Sequence, residues 1–297
     1  MRYIDLYEGN HLLGRFDVPD HVVATEHQSF RLYGATRQGG NGVVFDASEF
    51  VDGRATGRSY AVKVLKQLST ARVDRFNNEV RVLQELDSPY ISKFSAAGQV
   101  TVTPQQHGVD ARVVPWVAMQ LGGPNMRQHV EDVGPLTVAQ LKSITFGMST
   151  AVEHLHGKGF IHRDLKPDNF VWRTTPHTAP MMIDFGIAKR HGEDVSARPM
   201  DAFTKVTEFV GPVFFSSPEL IEYSKNKAHP VDFRSDIFQL GKVLWYLGTA
   251  KISAGVPSRR ECPANGKLRE LVLAMIDDDP SSRPQSLAEV RDAMNAL

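Results

Sequence analysis

The sequence contains a single cysteine, Cys262, so no disulfide bond can form within the chain. A lone thiol fits a reducing compartment. No stretch approaches the roughly 18 consecutive apolar residues that a membrane-spanning helix needs. Asp5 precedes any long apolar run, which argues against a secretory leader. We therefore expect a soluble, cytoplasmic protein with no membrane span.

Net charge is also lacking, because 34 lysine and arginine residues balance 34 aspartate and glutamate residues. Without an overall field we expect no nucleic-acid partner. Eleven histidines are present, but no cysteine or carboxylate partner stands at zinc-finger spacing, so a structural zinc site is not expected. A hydrophobic content of 41% over 297 residues is enough to bury a core, which excludes disorder of the whole chain.

The order of the periodic segments predicts an α+β fold. Extended patterns and one helical pattern alternate in the first half, as strands at 30–36, 43–45 and 59–65, a helix from Ser69 or Thr70 to Leu86, and strands at 94–103 and 112–121. The second half is mainly helical, with helices predicted at 137–156, 218–225, 235–247, 267–277 and 286–297. We expect a small antiparallel β-sheet lobe with one helix (30–121) and a larger, mainly helical lobe (122–297).

Residues 1–29 precede this arrangement as an N-terminal extension of unknown role. An extra strand against the small lobe, a regulatory arm and an interaction element all fit its sequence. The sequence does not choose among them.

The most informative segment is the run His162-Arg163-Asp164-Leu165-Lys166-Pro167-Asp168-Asn169. Asp164 and Asn169 lie five residues apart in one short loop, where a carboxylate can accept a hydroxyl proton while an amide oxygen binds Mg²⁺. Lys166 between them can hold a transferring phosphoryl group. Asp184 follows the apolar run Met181-Met182-Ile183, so its carboxylate is expected at the end of a buried strand, as a second metal ligand.

An ion pair is expected in the first half of the chain. Lys63 lies in the middle of a predicted strand, and Glu79 lies beside the apolar face of the predicted helix. A carboxylate at that position needs a cation to offset its desolvation. Lys63 is the natural candidate.

Together these motifs resemble the protein kinases. The strand Tyr60-Ala61-Val62-Lys63, the catalytic loop, Asp184-Phe185-Gly186 and Ser217-Pro218-Glu219 follow a glycine-rich turn in the order and rough spacing of that family. The resemblance covers approximately residues 30 to 295, and it implies the two-lobed protein kinase fold with ATP and Mg²⁺ as cofactors.

The resemblance also implies roles for individual residues. Lys63 would bind the α- and β-phosphates and pair with Glu79, Asp164 would be the catalytic base, and Asn169 and Asp184 would hold Mg²⁺. The remaining nucleotide-binding positions implied are Gly39 and Gly42 in the turn, Val44, Ala61 and Val171 around the adenine, Met119 as gatekeeper and Leu121 in the hinge. Glu219 would pair with Arg283, and Asp236 would anchor the backbone of the catalytic loop.

Two positions depart from the family pattern. Arg37 occupies the first glycine position of the turn, and Pro212 follows Gly211 where serine/threonine kinases usually place a threonine shortly after a glycine. Lys166 is nevertheless similar to the serine/threonine kinases. The segment Gly122-Gly123-Pro124-Asn125-Met126 hints at the casein kinase one family.

We therefore predict an ATP- and Mg²⁺-dependent protein serine/threonine kinase that acts on protein substrates, including itself by autophosphorylation. A pseudokinase or nucleotide-binding scaffold is the alternative, motivated by Arg37 and Pro212. A kinase for small molecules is a third hypothesis, against which the Ser217-Pro218-Glu219 segment with Arg283 argues. The sequence does not determine the oligomeric state.

Overall fold

A computed structural model describes residues 2–38, 41–176, 178–191, 212–253 and 266–296. The chain divides into two compact units. The first comprises residues 1–85 and 92–121, and the second comprises residues 86–91 and 122–297.

The first unit is an antiparallel sheet with one helix, as expected from the sequence. Its elements are β1 (Tyr3–Glu8), β2 (His11–Asp17), β3 (His21–Val23), β4 (Gln28–Gln38), β5 (Gly42–Val51), β6 (Arg54–Leu65), α1 (Thr70–Glu85), β7 (Phe94–Pro104) and β8 (Arg112–Gln120). The strands lie in the order β1-β2-β7-β8-β6-β5-β4-β3, and every neighbouring pair is antiparallel.

The N-terminal residues 3–23 contribute three strands to this sheet. β1 and β2 pair as a hairpin at one end of the strand order, and β3 pairs with β4 at the other end. Only residues 18–20 connect β2 to β3. These three residues therefore lead from the second strand of the strand order to the last one. Side chains from β1, β2 and β3 enter the same apolar core as the central strands.

The two faces of the central strands differ in character. Val43, Phe45, Val62, Val64 and Trp116 are at most 1% exposed and belong to the apolar core. Because strand side chains alternate, the residues between them point to the opposite face. That opposite face carries Lys63, one of the candidate site residues.

The second unit is mainly helical. Its helices are α2 (Met126–Val133), α3 (Val138–Gly157), α4 (Pro218–Lys225), α5 (Arg234–Thr249), α6 (Gly266–Met275) and α7 (Leu287–Asn295). Four short strands, β9 (Phe160–Ile161), β10 (Phe170–Trp172), β11 (Pro180–Met182) and β12 (Lys189–Arg190), form two two-stranded sheets, β10 with β11 and β12 with β9. The α+β class predicted from the sequence is confirmed.

Capping residues fix several of these helices. Thr137 begins α3 with a capping box, in which its side chain accepts the Gln140 N–H and the Gln140 side chain accepts the Thr137 N–H. The Asn125 side chain caps α2 by accepting the Gln128 N–H at 2.8 Å. The sequence did not predict α2, whose eight residues are too few for a clear periodic signal.

α5 is the central helix of this unit. Residues 235–248 are all buried, as expected for a helix with neighbours on every side. α2, α3 and α6 all contact it. Within the part of the chain that is described, no helix has both the length and the apolar character needed to cross a membrane.

Candidate active site

The first unit contributes a buried ion pair. Lys63 Nζ lies 2.8 Å and 2.6 Å from the two carboxylate oxygens of Glu79. The Lys63 side chain is 12% exposed and that of Glu79 only 2%, so each charge depends on the other to offset its lost hydration. The ion pair predicted from the sequence is present, and it ties β6 to α1.

Three further candidate residues share a sheet face with Lys63. Val44 lies opposite Lys63 on β5, and Met119 lies opposite Ala61 on β8. Ala61 and Met119 are buried, whereas Val44 is partly exposed. Leu121, which follows β8, is also partly exposed. The structure therefore gathers Val44, Ala61 and Met119 into an apolar surface beside the Lys63 ammonium.

The glycine-rich turn is only partly described. Gly39 lies outside the described residues. Gly42 opens β5 opposite Leu65, and a Cβ atom at this position would meet the carbonyl oxygen of Val64 at 2.8 Å. Strand packing therefore accounts for this glycine. Arg37, which replaces the first glycine of the pattern, lies within β4 opposite Val44.

The second unit holds the catalytic-loop residues close together. Lys166 Nζ donates a hydrogen bond to Asp164 Oδ2 at 2.6 Å. The Asn169 amide nitrogen donates to the Asp164 carbonyl oxygen at 2.8 Å and to Asp164 Oδ2 at 3.2 Å. Asp164 remains 25% exposed. Because the amide nitrogen of Asn169 bonds Asp164, its carbonyl oxygen is the atom suited to a cation.

Backbone pairing brings Asp184 to this loop. The Ile183 N–H donates to the Asn169 carbonyl at 2.9 Å, at the end of the β10–β11 pair. Asp184 follows directly with a φ angle of 66°, and the Gly186 N–H donates to its carboxylate at 3.3 Å. Val171 in β10 is 1% exposed. The strand-end position expected for Asp184 is therefore present.

The carboxylates near the catalytic loop stabilise the charged form of Lys166. Burial would lower the pKa of Lys166, but the nearby carboxylates of Asp164 and Asp184 raise that pKa above its ordinary value. The ammonium group therefore keeps its proton at neutral pH. Burial lowers the pKa of His162, whose ring lies 5.4 Å from that of Phe185.

Two side chains of α5 form hydrogen bonds with the backbone of the catalytic loop. Asp236 Oδ2 accepts the His162 N–H at 2.8 Å, and Oδ1 accepts the Arg163 N–H at 2.9 Å. One turn later, Gln239 accepts the Leu165 N–H and donates to the Arg163 carbonyl, both at 3.1 Å. The anchoring role implied for Asp236 is matched by these contacts. Gln239 was not predicted, although its spacing of three residues from Asp236 places both on one helix face.

The expected pair between Glu219 and Arg283 is also present. Two Arg283 nitrogens donate to the two Glu219 oxygens at 2.7 Å and 2.9 Å, and both side chains are buried. This bidentate contact links α4 to the segment before α7.

Comparison with known proteins gives the chain its family. Residues 35–294 match the sequence model described as protein kinase domain, which covers most of the chain. The chain belongs to the protein kinase family.

Several curated kinases are similar to this kinase domain. A probable serine/threonine-protein kinase, PkwA of Thermomonospora curvata, is 29% identical over 273 residues, which cover 86% of this chain and 32% of the relative. The serine/threonine-protein kinase AfsK of Streptomyces griseus is 30% identical over 223 residues, 74% of this chain and 24% of the relative. PknB of Mycobacterium leprae is 28% identical over 256 residues, 79% of this chain and 38% of the relative.

The resemblance to serine/threonine kinases inferred from the sequence is confirmed by these relatives, whose names lend no support to the pseudokinase alternative. The casein kinase one hint stays a prediction. The chain spans about a quarter to two fifths of the length of these relatives.

One ion pair of the kinase domain was not predicted. Arg127 near the start of α2 donates from Nε to both Asp168 oxygens at 2.8 Å. The Arg127 guanidinium also lies 5.2 Å from the ring centre of Tyr246 and 5.8 Å from that of Phe215. Asp168 immediately precedes Asn169, so this pair holds α2 against the catalytic loop. The sequence around Arg127 has no pattern that predicts a contact with Asp168, which lies 41 residues away.

Proposed function

We propose that this chain is an ATP- and Mg²⁺-dependent protein serine/threonine kinase that transfers the γ-phosphoryl group of ATP to hydroxyl groups of protein substrates and of itself. The observation that carries the proposal is the grouping of Asp164, Lys166 and Asn169, with Asp184 beside Asn169. These are the side chains that phosphoryl transfer requires for proton acceptance, charge neutralisation and metal binding.

The residues fit Mg²⁺. An amide oxygen from Asn169 and a carboxylate from Asp184 are hard oxygen donors of the kind that Mg²⁺ prefers. Mg²⁺ keeps several waters and usually binds through one or two protein side chains together with substrate phosphates. Among the described residues no group of three or more histidine, cysteine, aspartate or glutamate side chains is placed to hold a metal, and a two-ligand magnesium site needs none.

In the proposed mechanism Asp164 accepts the proton of the substrate hydroxyl, whose oxygen forms a new bond to the γ-phosphorus. The bond between that phosphorus and the β–γ bridging oxygen breaks, and ADP leaves with the electron pair. Lys166 stays protonated, because the surrounding carboxylates raise its pKa, and neutralises charge on the transferred group. Lys63, oriented by Glu79, binds the α- and β-phosphates. Bound Mg²⁺ supplies further neutralisation of the phosphate charge. Within the first unit, Val44, Ala61 and Met119 would contact the adenine. Gly39, Gly42, Leu121 and Val171 keep the nucleotide-binding roles predicted from the sequence.

The relatives support the choice of acceptor, since they are named serine/threonine kinases. Because they are longer than this chain, its physiological substrates and partners belong to the proposal. A cytoplasmic location and the lack of a nucleic-acid partner stay predictions, as do the lobe boundaries at residues 30 and 122.

The test is phosphoryl transfer from labelled ATP in the presence of Mg²⁺, with a generic protein substrate and with the chain alone. Asp164→Asn should lower the rate about 10²- to 10⁴-fold, the usual contribution of a general base. Asp110→Asn, an exposed carboxylate in the loop before β8, is the matched control and should keep the wild-type rate. Mg²⁺ with ATP should still raise the melting temperature of Asp164→Asn, because binding to the folded state is retained.

Phosphoamino-acid analysis identifies the acceptor. Phosphoserine or phosphothreonine that disappears in Asp164→Asn supports the proposal. Equal labelling of the wild type and Asp164→Asn would contradict the assignment of the base, and transfer to small alcohols but never to protein would favour a small-molecule kinase.

A further inference from the structure

The N-terminal hairpin, β1 and β2 (Tyr3–Asp17), lies outside the part of the chain that matches the kinase family, yet it is built into the core of the first unit. Ile4, Leu6 and Phe16 are at most 1% exposed and join the same apolar cluster as the central strands. Burial of this extent indicates a fixed structural element.

The outer edge of β1 contacts the linker that joins β6 to α1, residues 66–69. The Tyr7 N–H donates to the Lys66 carbonyl at 2.9 Å, and the Leu68 N–H donates to the Tyr7 carbonyl at 2.8 Å. Tyr7 and Gln67 thereby form a parallel bridge. Both the N–H and the carbonyl group of Tyr7 therefore form hydrogen bonds with the linker. The Leu68 side chain packs against the core.

This linker lies between the two members of the Lys63–Glu79 pair. Lys63 is three residues before Lys66, and α1, which carries Glu79, begins at Thr70. The Lys66 N–H also donates to the Asn41 carbonyl at 3.1 Å, and the Ser69 carbonyl accepts N–H bonds from Arg72 and Val73 in the first turn of α1. The two hydrogen bonds to Tyr7 therefore hold residues 66–68, the segment that leads directly into α1.

The hairpin itself is anchored elsewhere in the sheet. β2 pairs with β7 at Phe16 and Asp17, and the Val18 N–H donates to the Arg2 carbonyl. Arg2 Nη1 in turn donates to the Leu32 carbonyl in β4 at 3.1 Å. Because β1 is held by its neighbours, it can act as a fixed support for the linker.

We propose that β1, through the backbone of Tyr7, is a positioning element for the Lys63–Glu79 ion pair, because it fixes the linker from which α1 starts. This proposal rests on the proposed function only in assigning the ion pair to phosphate binding. Tyr7 is not one of the proposed nucleotide- or substrate-binding residues, so in this proposal it acts through the orientation of α1.

The test uses Tyr7→Pro in the full chain, since proline removes the N–H that bonds Lys66. Asp5→Pro is the matched control. Strand alternation directs the Asp5 N–H to the same outer side of β1, two residues from the linker contact. Besides that N–H, the substitution removes an exposed ion pair with Arg15, which contributes little to stability.

Hydrogen–deuterium exchange is measured first, without ATP. In Tyr7→Pro the amides of α1 should exchange at least about tenfold faster than in the wild type, while those of β7 and β8 keep their protection, because loss of the linker contact is a local opening. The kcat/KM for ATP should fall about tenfold or more, since misplaced groups lose most of their catalytic effect. Asp5→Pro should match the wild type in both measurements.

Unchanged exchange in α1, or an equal increase across the whole first unit, would overturn the proposal. If Tyr7→Pro does not fold, the triple variant Tyr7→Cys, Gln67→Cys, Cys262→Ser replaces it. Oxidation of its new thiol pair should slow exchange in α1, and reduction should reverse this change. A disulfide that forms without slowing α1 would count against the proposal. Failure of phosphoryl transfer in the wild type would contradict the proposed function and leave the exchange test intact.

Discussion

At the scale of single residues, Arg283 shows how much of this fold depends on one buried cation. Besides its two bonds to Glu219, it donates to the carbonyls of Asp277 at 2.8 Å and Arg234 at 3.0 Å, and its guanidinium lies 4.9 Å from the ring centre of Phe238. The contacts with Glu219, Arg234 and Phe238 join segments that are distant in sequence. Such a pair gives specificity to the packing, although its formation costs desolvation energy.

Arg283→Met should lower the free energy of unfolding by roughly 3–5 kcal/mol, because Glu219 would be left as a buried, uncompensated charge. Urea denaturation followed by circular dichroism measures this change. Lys225→Met is the matched control, since it breaks an exposed pair with Glu222 at 2.7 Å, and it should cost no more than about 1 kcal/mol. Equal losses in the two variants would contradict the assigned role of the buried pair.

At the scale of secondary-structure elements, α5 carries the support for the catalytic loop. Asp236 is fully buried, and its carboxylate also lies 2.8 Å from His156 Nε2. Burial alone would raise the pKa of Asp236, but the bonds from His156 and the loop backbone hold it below the ordinary value. The carboxylate therefore stays ionised and can accept several N–H groups at once.

Asp236→Asn should lower kcat about 10- to 100-fold, because an amide offers one acceptor and the loop leading to Asp164 loses part of its support. The unpaired N–H should also cost about 1–3 kcal/mol of stability. Steady-state kinetics with urea denaturation separates the two effects. Asp232→Asn, at the start of the same helix beside Arg234, should leave kcat unchanged. A stability loss without any loss of kcat would refute the link to the loop.

Lys242 on α5 gives a pH-dependent prediction. It is 6% exposed, its Nζ donates to the Ser253 carbonyl at 2.7 Å, and burial lowers its pKa to about 8. Between pH 8 and its ordinary value of 10.5 the folded lysine loses its proton while the unfolded lysine keeps it, so this group makes stability rise with pH in that window.

We therefore expect the wild type to gain stability relative to Lys242→Met as pH rises through that window. The gain in unfolding free energy should be on the order of 3 kcal/mol. Urea denaturation at pH 8 and at pH 10.5 measures the shift. The same comparison at pH 6 and pH 7 is the internal control, because the lysine is charged in both states there. A constant difference across the whole range would contradict the lowered pKa.

At the scale of the whole molecule, charge balance is the dominant property. The net charge is zero with histidines neutral, and the isoelectric point is about 7.2. A molecule without net charge exerts no overall electrostatic field on its partners. Near neutral pH there is also little charge repulsion between copies of the chain.

Solubility should therefore pass through a minimum near pH 7.2 and increase on either side of it, because the net charge then departs from zero. Precipitation by polyethylene glycol at several pH values measures this. Added salt should flatten the curve, because it screens the charges. A minimum more than one pH unit away would mean that the folded charges titrate far from their ordinary values.

The sequence by itself determined the family, the fold class and the identity of the candidate site residues. Those depend on local chemistry: Asp164, Lys166 and Asn169 lie in one loop, and their residue types and spacing predict phosphoryl transfer. The predicted strands and helices of residues 30–297 also follow from local periodicity. The β1–β2 hairpin was not decided, because an extra strand was only one of three interpretations of residues 1–29 and its pairing partner β7 lies far away in the sequence.

Other contacts between distant groups were decided only by the tertiary structure. The bond from Gln239 to the catalytic loop, the Arg127–Asp168 pair and the contact of Tyr7 with residues 66–68 each join segments with no local pattern relating them. The physical reason is that hydrogen bonds and ion pairs act at about 3 Å, and only chain packing brings such groups that close. The N-terminal segment was open to several interpretations in the sequence, and its residues 3–23 contribute three strands to the sheet for the same reason.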